Sequence, residues 1–441
     1  MTMTTSAEVS QPLSMSYDGW KMPHHPVMQK HRQMAFDFLD GDHKLYALWG
    51  SVSSGKTVTS AQAWAAFVER TPKHYPLAMI GKTERTLEAN VLDPLAEFLG
   101  SKYSENRGRG IVYLYDRKIR IYGANDSKSE SKIRGKTLYA WYGDEVTTWP
   151  ESFFMMALSR LRIPGAKAIM TMNPENPNHW FHRQIVERAD DPGIRAKLYH
   201  FTMEDNPHLS DEYKAWIKSM YAPGTIWYRR WVEGLWVAAE GRVFGFFDPD
   251  PSAGYVVSTL PDHFTMYLVG ADYGTANPFA ATLWGLSGGV WYIIREFYWD
   301  SVKEHKQKVN HEYIEDIARL CYWNGSPVAA KILVPPEEAG FIREIKQSKY
   351  QHLSHVRAAD NAIMPGLEDI ATLFTTGKLK VYEKCEKTIW GFNDLLWDQR
   401  QQERGIDMYI KGGSGSPDHI CDGNRYAARE AAKQLRQMRI I

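Results

Sequence analysis

One octapeptide constrains this chain more than any other: Gly50-Ser-Val-Ser-Ser-Gly55-Lys56-Thr57, which fits the pattern GxxxxGK[ST]. An apolar run, Lys44–Trp49, precedes it, and an amphipathic stretch, Thr57–Glu69, follows it. Strand, glycine-rich turn and helix in that order make a phosphate cradle. The glycines let backbone N–H groups curl around phosphate oxygens, and the helix N-terminus adds a favourable dipole. Gly50, Ser51, Val52, Ser53, Ser54 and Gly55 are therefore expected to line an ATP site. Lys56 would hold the β- and γ-phosphates, and Thr57 would ligate the Mg²⁺ that accompanies ATP. A chance match in an ordinary glycine–serine turn is the plain alternative, and the flanking strand and helix argue against it.

Hydrolysis also needs an acid for the metal and a base for the water. Leu138–Tyr142 is an apolar run that ends in Gly143-Asp144-Glu145, which supplies both. Asp144 would organise Mg²⁺, and Glu145 would polarise the attacking water. A further apolar run, Ala168–Met172, leads into Asn173-Pro174. Thr171 or Asn173 there could sense the γ-phosphate, or the pair could be only a strand-to-loop turn. Gln33, upstream of the first strand, could contact adenine or lie on a solvated helix face. Arg134, in the basic loop Lys132–Lys136, could stabilise transition-state charge across a subunit boundary or simply face water.

Strand-like runs at Lys44–Trp49, Leu77–Ile80, Leu138–Tyr142 and Ala168–Met172 alternate with helix-like runs at Thr57–Glu69 and Thr86–Leu99. That alternation predicts a mainly parallel α/β sheet. The 441 residues exceed one ordinary domain, and 44% apolar content is sufficient for real cores. The reading divides the chain into a polar arm over 1–22, a first α/β unit over 23–240, a linker over 241–262 and a second α/β unit over 263–441. The linker is assigned on the Gly-, Pro- and Asp-rich run EGRVFGFFDPDPSAGY. Strands at Tyr267–Ala271, Ala280–Trp284 and Val290–Tyr298 open the second unit. Gly412–Ser416 reads as a short flexible loop. Net charge is only +1, so any nucleic-acid contact must be a local basic patch. Three widely spaced cysteines form no CxxC pair, which suits a reducing cytoplasm. No run of 18 apolar residues occurs, so neither a membrane span nor a membrane partner is expected.

The second unit carries its own acids. Asp272 ends the apolar run Leu268–Ala271, and Asp418-His419-Ile-Cys-Asp422 opens a helix-like stretch near the C-terminus. The four-residue spacing puts Asp418 and Asp422 on one helical face, with His419 nearby. Convergent carboxylates make a hard oxygen site suited to Mg²⁺ or Mn²⁺. Two such ions can activate a water and stabilise a leaving oxygen in phosphodiester cleavage.

The ordered series GSVSSGKT, YGDE, MTMNP, EDNPHL, YRRWVEGLW, GADYG and DHICDGNRYA resembles the large terminase subunits of tailed phages. The resemblance spans roughly residues 25–430. It implies a P-loop ATPase domain of the additional-strand, conserved-glutamate type followed by an RNase H-like nuclease domain with a mixed sheet. It implies Glu145 as catalytic base, Arg134 as a candidate arginine finger, Gln33 as the adenine contact and Thr171 to Asn173 as the coupling motif. In the nuclease it implies catalytic, metal-binding Asp272 and Asp422, with His419 and Asp418 beside them. Implied partners are double-stranded DNA, the portal protein, a small terminase subunit and further copies of the chain in a ring on the prohead. Action in the host cytoplasm during assembly, outside the mature virion, is the matching expectation.

One departure stands out. The family's middle nuclease carboxylate follows a strand, and here Lys331–Val334 runs into Pro335-Pro336-Glu337-Glu338. Pro335 occupies the Asp position, so either Glu337 or Glu338 substitutes as a metal ligand or the site is depleted. Two alternatives to a packaging nuclease follow: a DNA translocase without cleavage, and an ATP-binding assembly protein whose C-terminal domain only grips the portal.

Overall fold

The computed structural model describes residues 28–274 and 277–438. The arm expected over 1–22 and the start of the first unit lie outside them. Eight strands build the first sheet: β1 (Leu45–Gly50), β2 (Leu77–Gly81), β3 (Tyr103–Asn106), β4 (Ile111–Leu114), β5 (Arg117–Gly123), β6 (Ala140–Gly143), β7 (Lys167–Met172) and β8 (Ala196–Phe201). Their order is β3-β4-β5-β2-β6-β7-β1-β8. From β5 to β8 every pairing is parallel, and β3–β4–β5 form an antiparallel margin. β2, β6 and β7 are buried along their whole length, as parallel strands covered by helices on both faces must be. The decisive feature is β7, which lies between β1 and β6. It is the additional strand that separates the phosphate-loop strand from the acidic strand.

Helix α1 (Gln29–Asp40) and helix α2 (Lys56–Arg70) cover one face of this sheet. The stretch Thr86–Leu99 is not one helix. A capping box between Thr83 and Thr86 starts a turn at Glu84–Leu87, a π turn follows at Glu88–Leu92, and Asp93–Leu99 completes it. The expected strand Leu138–Tyr142 is shifted: Leu138 makes only an isolated bridge to Leu161, and the ladder begins at Ala140.

The second sheet holds β9 (Val256–Val257), β10 (Met266–Asp272), β11 (Phe279–Ser287) and β12 (Val290–Trp299). After a small hairpin, β13 (Tyr322–Trp323) with β14 (Ser326–Pro327), come β15 (Lys331–Val334), β16 (Val356–Ala358) and β17 (Leu379–Tyr382). The sheet order is β16-β15-β10-β11-β12-β17-β9. Antiparallel β10–β11–β12 flanked on the β10 side by parallel β15 and β16 is the RNase H-like mixed sheet. The C-terminal helix Asp418–Gln437 crosses β10 at very close range. A Cβ on Gly270 would meet the Gly423 carbonyl oxygen at 1.9 Å, so only glycine lets the helix lie there.

The segment 241–262 is not a free linker. Val243, Phe244, Phe247 and Val256 are buried in the core of the second sheet, and β9 pairs with β17. Its aromatic side chains are what a solvated connector lacks, and they fill the space beside Phe374 and Phe392. Gly412–Ser416 is also tied down: Asp300 accepts from Ser414 Oγ at 2.7 Å and from the Gly415 amide at 3.1 Å. Among the described residues no helix is long and apolar enough to cross a membrane. All three cysteines are free and buried.

Candidate functional sites

The phosphate loop leaves β1 through Gly50, whose φ is +146° and whose Cβ, if present, would sit 1.7 Å from the Phe201 carbonyl oxygen. Lys56 opens α2 and folds back under the loop. Its Nζ donates to the carbonyl oxygens of Ser51 (2.7 Å) and Gly50 (3.2 Å) and to Asn173 Oδ1 (3.2 Å). Burial pushes the Lys56 ammonium down to about 7, against the opposite pull of Asp144 and Glu145. The Ser51 and Val52 amides, expected to face phosphate, instead donate to the carbonyls of Phe201 and Trp231, both at 2.9 Å. They tie the start of the loop to Phe201 and Trp231 and are not free donors.

Asp144 sits at the end of β6, almost fully buried. Its oxygens accept from Thr171 Oγ1 at 2.8 Å and Asn90 Nδ2 at 3.3 Å. Burial raises its carboxyl above the ordinary range, and those two bonds and Lys56 oppose the shift. Glu145 follows in the left-handed region, at φ 50°, a conformation that costs a non-glycine residue of order 1–3 kcal/mol and concentrates at functional sites. Burial first, then the charge of Asp144, raises its carboxyl too. Because β7 separates β6 from β1, Thr171 and Asn173 touch both halves: Thr171 holds Asp144, and Asn173 holds Lys56. The donor set of Lys56, the Thr57 hydroxyl and Asp144 fits ATP with Mg²⁺, and the buried Ser51 Oγ has no partner among the described residues.

Two further expected residues lie on the surface. Gln33 is exposed on α1, where its amide donates to Asp37 Oδ1 at 2.8 Å, one helical turn on. The α1 residue that reaches the loop is His31, buried against Phe201, with Nε2 3.1 Å from the Ser54 carbonyl oxygen. Arg134 is 69% exposed, and its ion-pair contact is a loose one with Glu130 at 3.9 Å. Three residues at the site go beyond the sequence reading: Asn90, His31 and Asn206, whose Nδ2 donates to the Ser53 carbonyl at 2.8 Å. The EDNPHL segment that carries Asn206 is the available signal.

The second group of acids converges where the C-terminal helix starts against the end of β10. His419 Nδ1 lies 3.0 Å from Asp272 Oδ2, and His419 Nε2 lies 3.1 Å from the Gly412 carbonyl oxygen. Both ring nitrogens therefore face acceptors. Burial works against a charged ring, but the Asp272 bond and the nearby Asp418 outweigh it and hold His419 above its ordinary value. Burial pushes Asp272 up to about 6 against the His419 bond, with Asp422 adding to the shift.

Asp422 does not present a free carboxylate. Lys411 Nζ lies 2.9 Å from Oδ2, Arg425 Nη2 lies 2.7 Å from Oδ1, and the Tyr409 hydroxyl also donates to Oδ1. Burial opposes its charge, and Arg425 and Lys411 together outweigh burial and keep it ionised. Glu337 is exposed and accepts a long bond from Asn361 Nδ2 at 3.4 Å. No group of three or more His, Cys, Asp or Glu side chains stands ready to hold a metal among the described residues. Of the expected ligands, Asp272 and Asp418 flank His419, Asp422 is held by Lys411 and Arg425, and Glu337 stands apart on Asn361.

The two sheets meet through a buried polar junction just beyond the coupling motif. Asn176 Nδ2 donates to Gln402 Oε1 at 2.5 Å and to Asp407 Oδ1 at 3.2 Å. Arg230, 3% exposed, binds Asp407, caps the Val237 carbonyl at 2.6 Å and lies 3.5 Å from Glu175. Asp407 lies two residues before Tyr409 and four before Lys411, the pair that holds Asp422.

Residues 47–248 match the family described as terminase large subunit, T4likevirus-type, N-terminal. Among curated relatives, the large terminase subunit of Escherichia phage T5 is 21% identical over 286 residues, which is 63% of this chain and 61% of that protein. The large terminase subunit of Salmonella phage P22 is 23% identical over 328 residues, 71% of this chain and 59% of that protein. The matches thus span about three fifths of the length of these curated relatives. Among solved structures, the large terminase of a thermophilic bacteriophage superposes with a TM-score of 0.79 at 30% identity, covering 91% of this chain and 98% of that one. With that identity sustained over almost the whole of a solved large terminase, this chain belongs to the phage terminase large-subunit family.

Proposed function

We propose that this chain is the motor and cutting subunit of a phage packaging machine. ATP hydrolysis at the Lys56 cradle would move viral double-stranded DNA through the portal into the prohead, and the second site would cut the concatemer. The observation that carries the reading is Lys56 Nζ, shared between the phosphate loop and Asn173 beside the Asp144–Glu145 pair. The thermophilic-phage terminase has been solved with ADP and with ATP-γ-S, which favours the same ligand here.

Phosphates entering the cradle compete for the ammonium that now rests on Ser51, Gly50 and Asn173. Drawing Lys56 off Asn173 frees the end of β7, which leads within three residues to Asn176 at the junction of the sheets. Thr57 and Asp144 would hold Mg²⁺, which supplies charge neutralisation at the β- and γ-phosphates. Glu145 takes the proton of the attacking water, and its raised carboxyl is better matched to that task than an ordinary one. Arg134, which faces solvent, would serve a neighbouring copy in a ring on the prohead. A small terminase subunit would select the DNA, and the work would take place in the host cytoplasm.

The test is phosphate release by the full chain with and without linear double-stranded DNA. DNA-stimulated turnover that disappears in Lys56→Ala supports the motor; turnover indifferent to both DNA and Lys56 defeats it. A second reading, in which the C-terminal domain grips without cutting, draws on Pro335 and on the occupied Asp422. Mn²⁺-dependent plasmid nicking that is lost in Asp272→Asn would exclude that reading.

A further inference from the structure

Two exposed aromatic rings stand beside the phosphate loop, on the helix Asp211–Met220. Tyr213 is 37% exposed and Trp216 is 46% exposed, and their ring centroids lie 5.6 Å apart. The Tyr213 hydroxyl is 3.2 Å from Ser53 Oγ, at the loop residue whose backbone is left-handed. Local contacts fix the helix there. Ser210 Oγ accepts from the Tyr213 amide at 3.1 Å, and Glu204 pairs with Lys214 at 2.9 Å and Lys218 at 3.1 Å. Ile217, one turn on from Tyr213, is buried in a small cluster on which Val52 of the loop packs. Tyr221 and Tyr228 pack against that same cluster, so Tyr213 and Trp216 are the rings left open to a ligand. The side chains that could read the edge of a base are engaged. Gln33 gives its amide to Asp37, Asn206 donates to the Ser53 carbonyl and accepts from the His208 amide, and His31 Nε2 meets the Ser54 carbonyl.

We propose that the nucleoside leaves the cradle past Ser53 and that its base stacks on Tyr213, with Trp216 as the second ring of the platform. The base is then held by its face, in place of an edge contact from Gln33. The inference rests on reading the Lys56 loop as an ATP cradle. Hydrolysis puts the γ-phosphate beside Glu145, and the nucleoside hangs from the opposite end of the phosphate chain. Lys56 is met by Asn173 at the end of β7, whereas Ser53 and Ser54 are met by Tyr213, Asn206 and His31. A rigid ring already anchored to the loop loses little freedom when a base covers it, and every base offers a π-face to such a platform.

The experiment compares ATP with inorganic tripolyphosphate, which carries the phosphates without a base, by calorimetric titration of the full chain in Mg²⁺. Tyr213→Ala should weaken ATP roughly 5- to 100-fold, the usual worth of one stacked base, and leave tripolyphosphate affinity unchanged. Tyr213→Phe loses the Ser53 contact and keeps the ring, so it should hold the wild-type preference for ATP. Equal weakening of both ligands in Tyr213→Ala would show that the ring only shapes the loop, and unchanged ATP affinity would show that it does nothing; either overturns the inference. Wild type that binds tripolyphosphate as tightly as ATP would also overturn it and leave the cradle reading standing. Wild type that binds neither would overturn both. Should Tyr213→Ala fail to fold, Trp216→Ala removes the second ring without touching Ser53 and should weaken ATP in the same selective way; no selective loss there would overturn the platform.

Discussion

Replacing Arg230 with Met removes the cation that faces both Asp407 and Glu175 at the junction of the sheets. The side chain volume is nearly kept, so the loss is mainly electrostatic. Breaking one partner of a buried ion pair costs about 3–5 kcal/mol. The Val237 carbonyl, which accepts from Nη2 at 2.6 Å and from Nε at 3.2 Å, is left bare as well. Glu175 offsets part of the cost, because burial already pushes its carboxyl up to about 7 and it can shed its charge by binding a proton. A folded value above the ordinary 4.5 means that the folded chain binds the extra proton between about 4.5 and 7. The contribution of Glu175 to stability therefore falls as pH rises through that window. We expect Arg230→Met to cost about 3–5 kcal/mol at pH 8, and less at pH 6, where Glu175 is largely neutral. Urea unfolding followed by circular dichroism, read as a midpoint shift at common slope, measures it. Adding Asp407→Asn should recover part of the loss. A cost below about 1 kcal/mol, the worth of an exposed pair, or no recovery in the double variant, would refute the reasoning.

Three further outcomes follow from the same structure. Gly270→Val should push the C-terminal helix off β10, costing at least about 1–3 kcal/mol as overpacking does, and should abolish nicking while ATP turnover persists. Equal loss of both activities in a folded variant would contradict the separation of the sites. Because Lys56 is held near 7 in the free chain, nucleotide binding at pH 8.5 should take up close to one proton, and the uptake should fade below pH 7. Calorimetry in buffers of different ionisation enthalpy reads it, and the absence of uptake would mean that the ammonium is already charged. Arg134→Ala should lower hydrolysis by roughly 10³-fold in assembled rings, as arginine fingers do, and far less in monomers; equal effects would make it a residue acting within its own chain.

What is legible in the sequence is contiguous. The phosphate loop, the Asp144–Glu145 pair and Asp272 each follow an apolar run and need only a strand-end position to be placed. What escapes is long-range. Asn90 meets Asp144 across 54 residues and Asn206 meets Ser53 across 153, and no local pattern marks either contact. His31 is the α1 residue that meets the loop, at the Ser54 carbonyl 23 residues on, while Asp37 takes the Gln33 amide one turn on. Asp422 shares a helical face with Asp418, yet Arg425 three residues beyond binds it internally. That three-residue spacing is visible in the sequence and is the signal for the internal pair. The segment 241–262 has a linker's glycines and prolines, but its phenylalanines decide the outcome by joining the core.

Hydrolysis at the junction of the phosphate loop and the acidic strand, with Glu145 as the base, is the central claim. The most direct measurement is steady-state phosphate release by Glu145→Gln at nucleotide occupancy matched to wild type by a fluorescent ATP analogue. The amide keeps shape and leaves Asp144 in place, so binding should be nearly unchanged while turnover falls at least about 100-fold, the usual worth of a general base. Turnover close to wild type at matched occupancy would contradict it and move the base elsewhere.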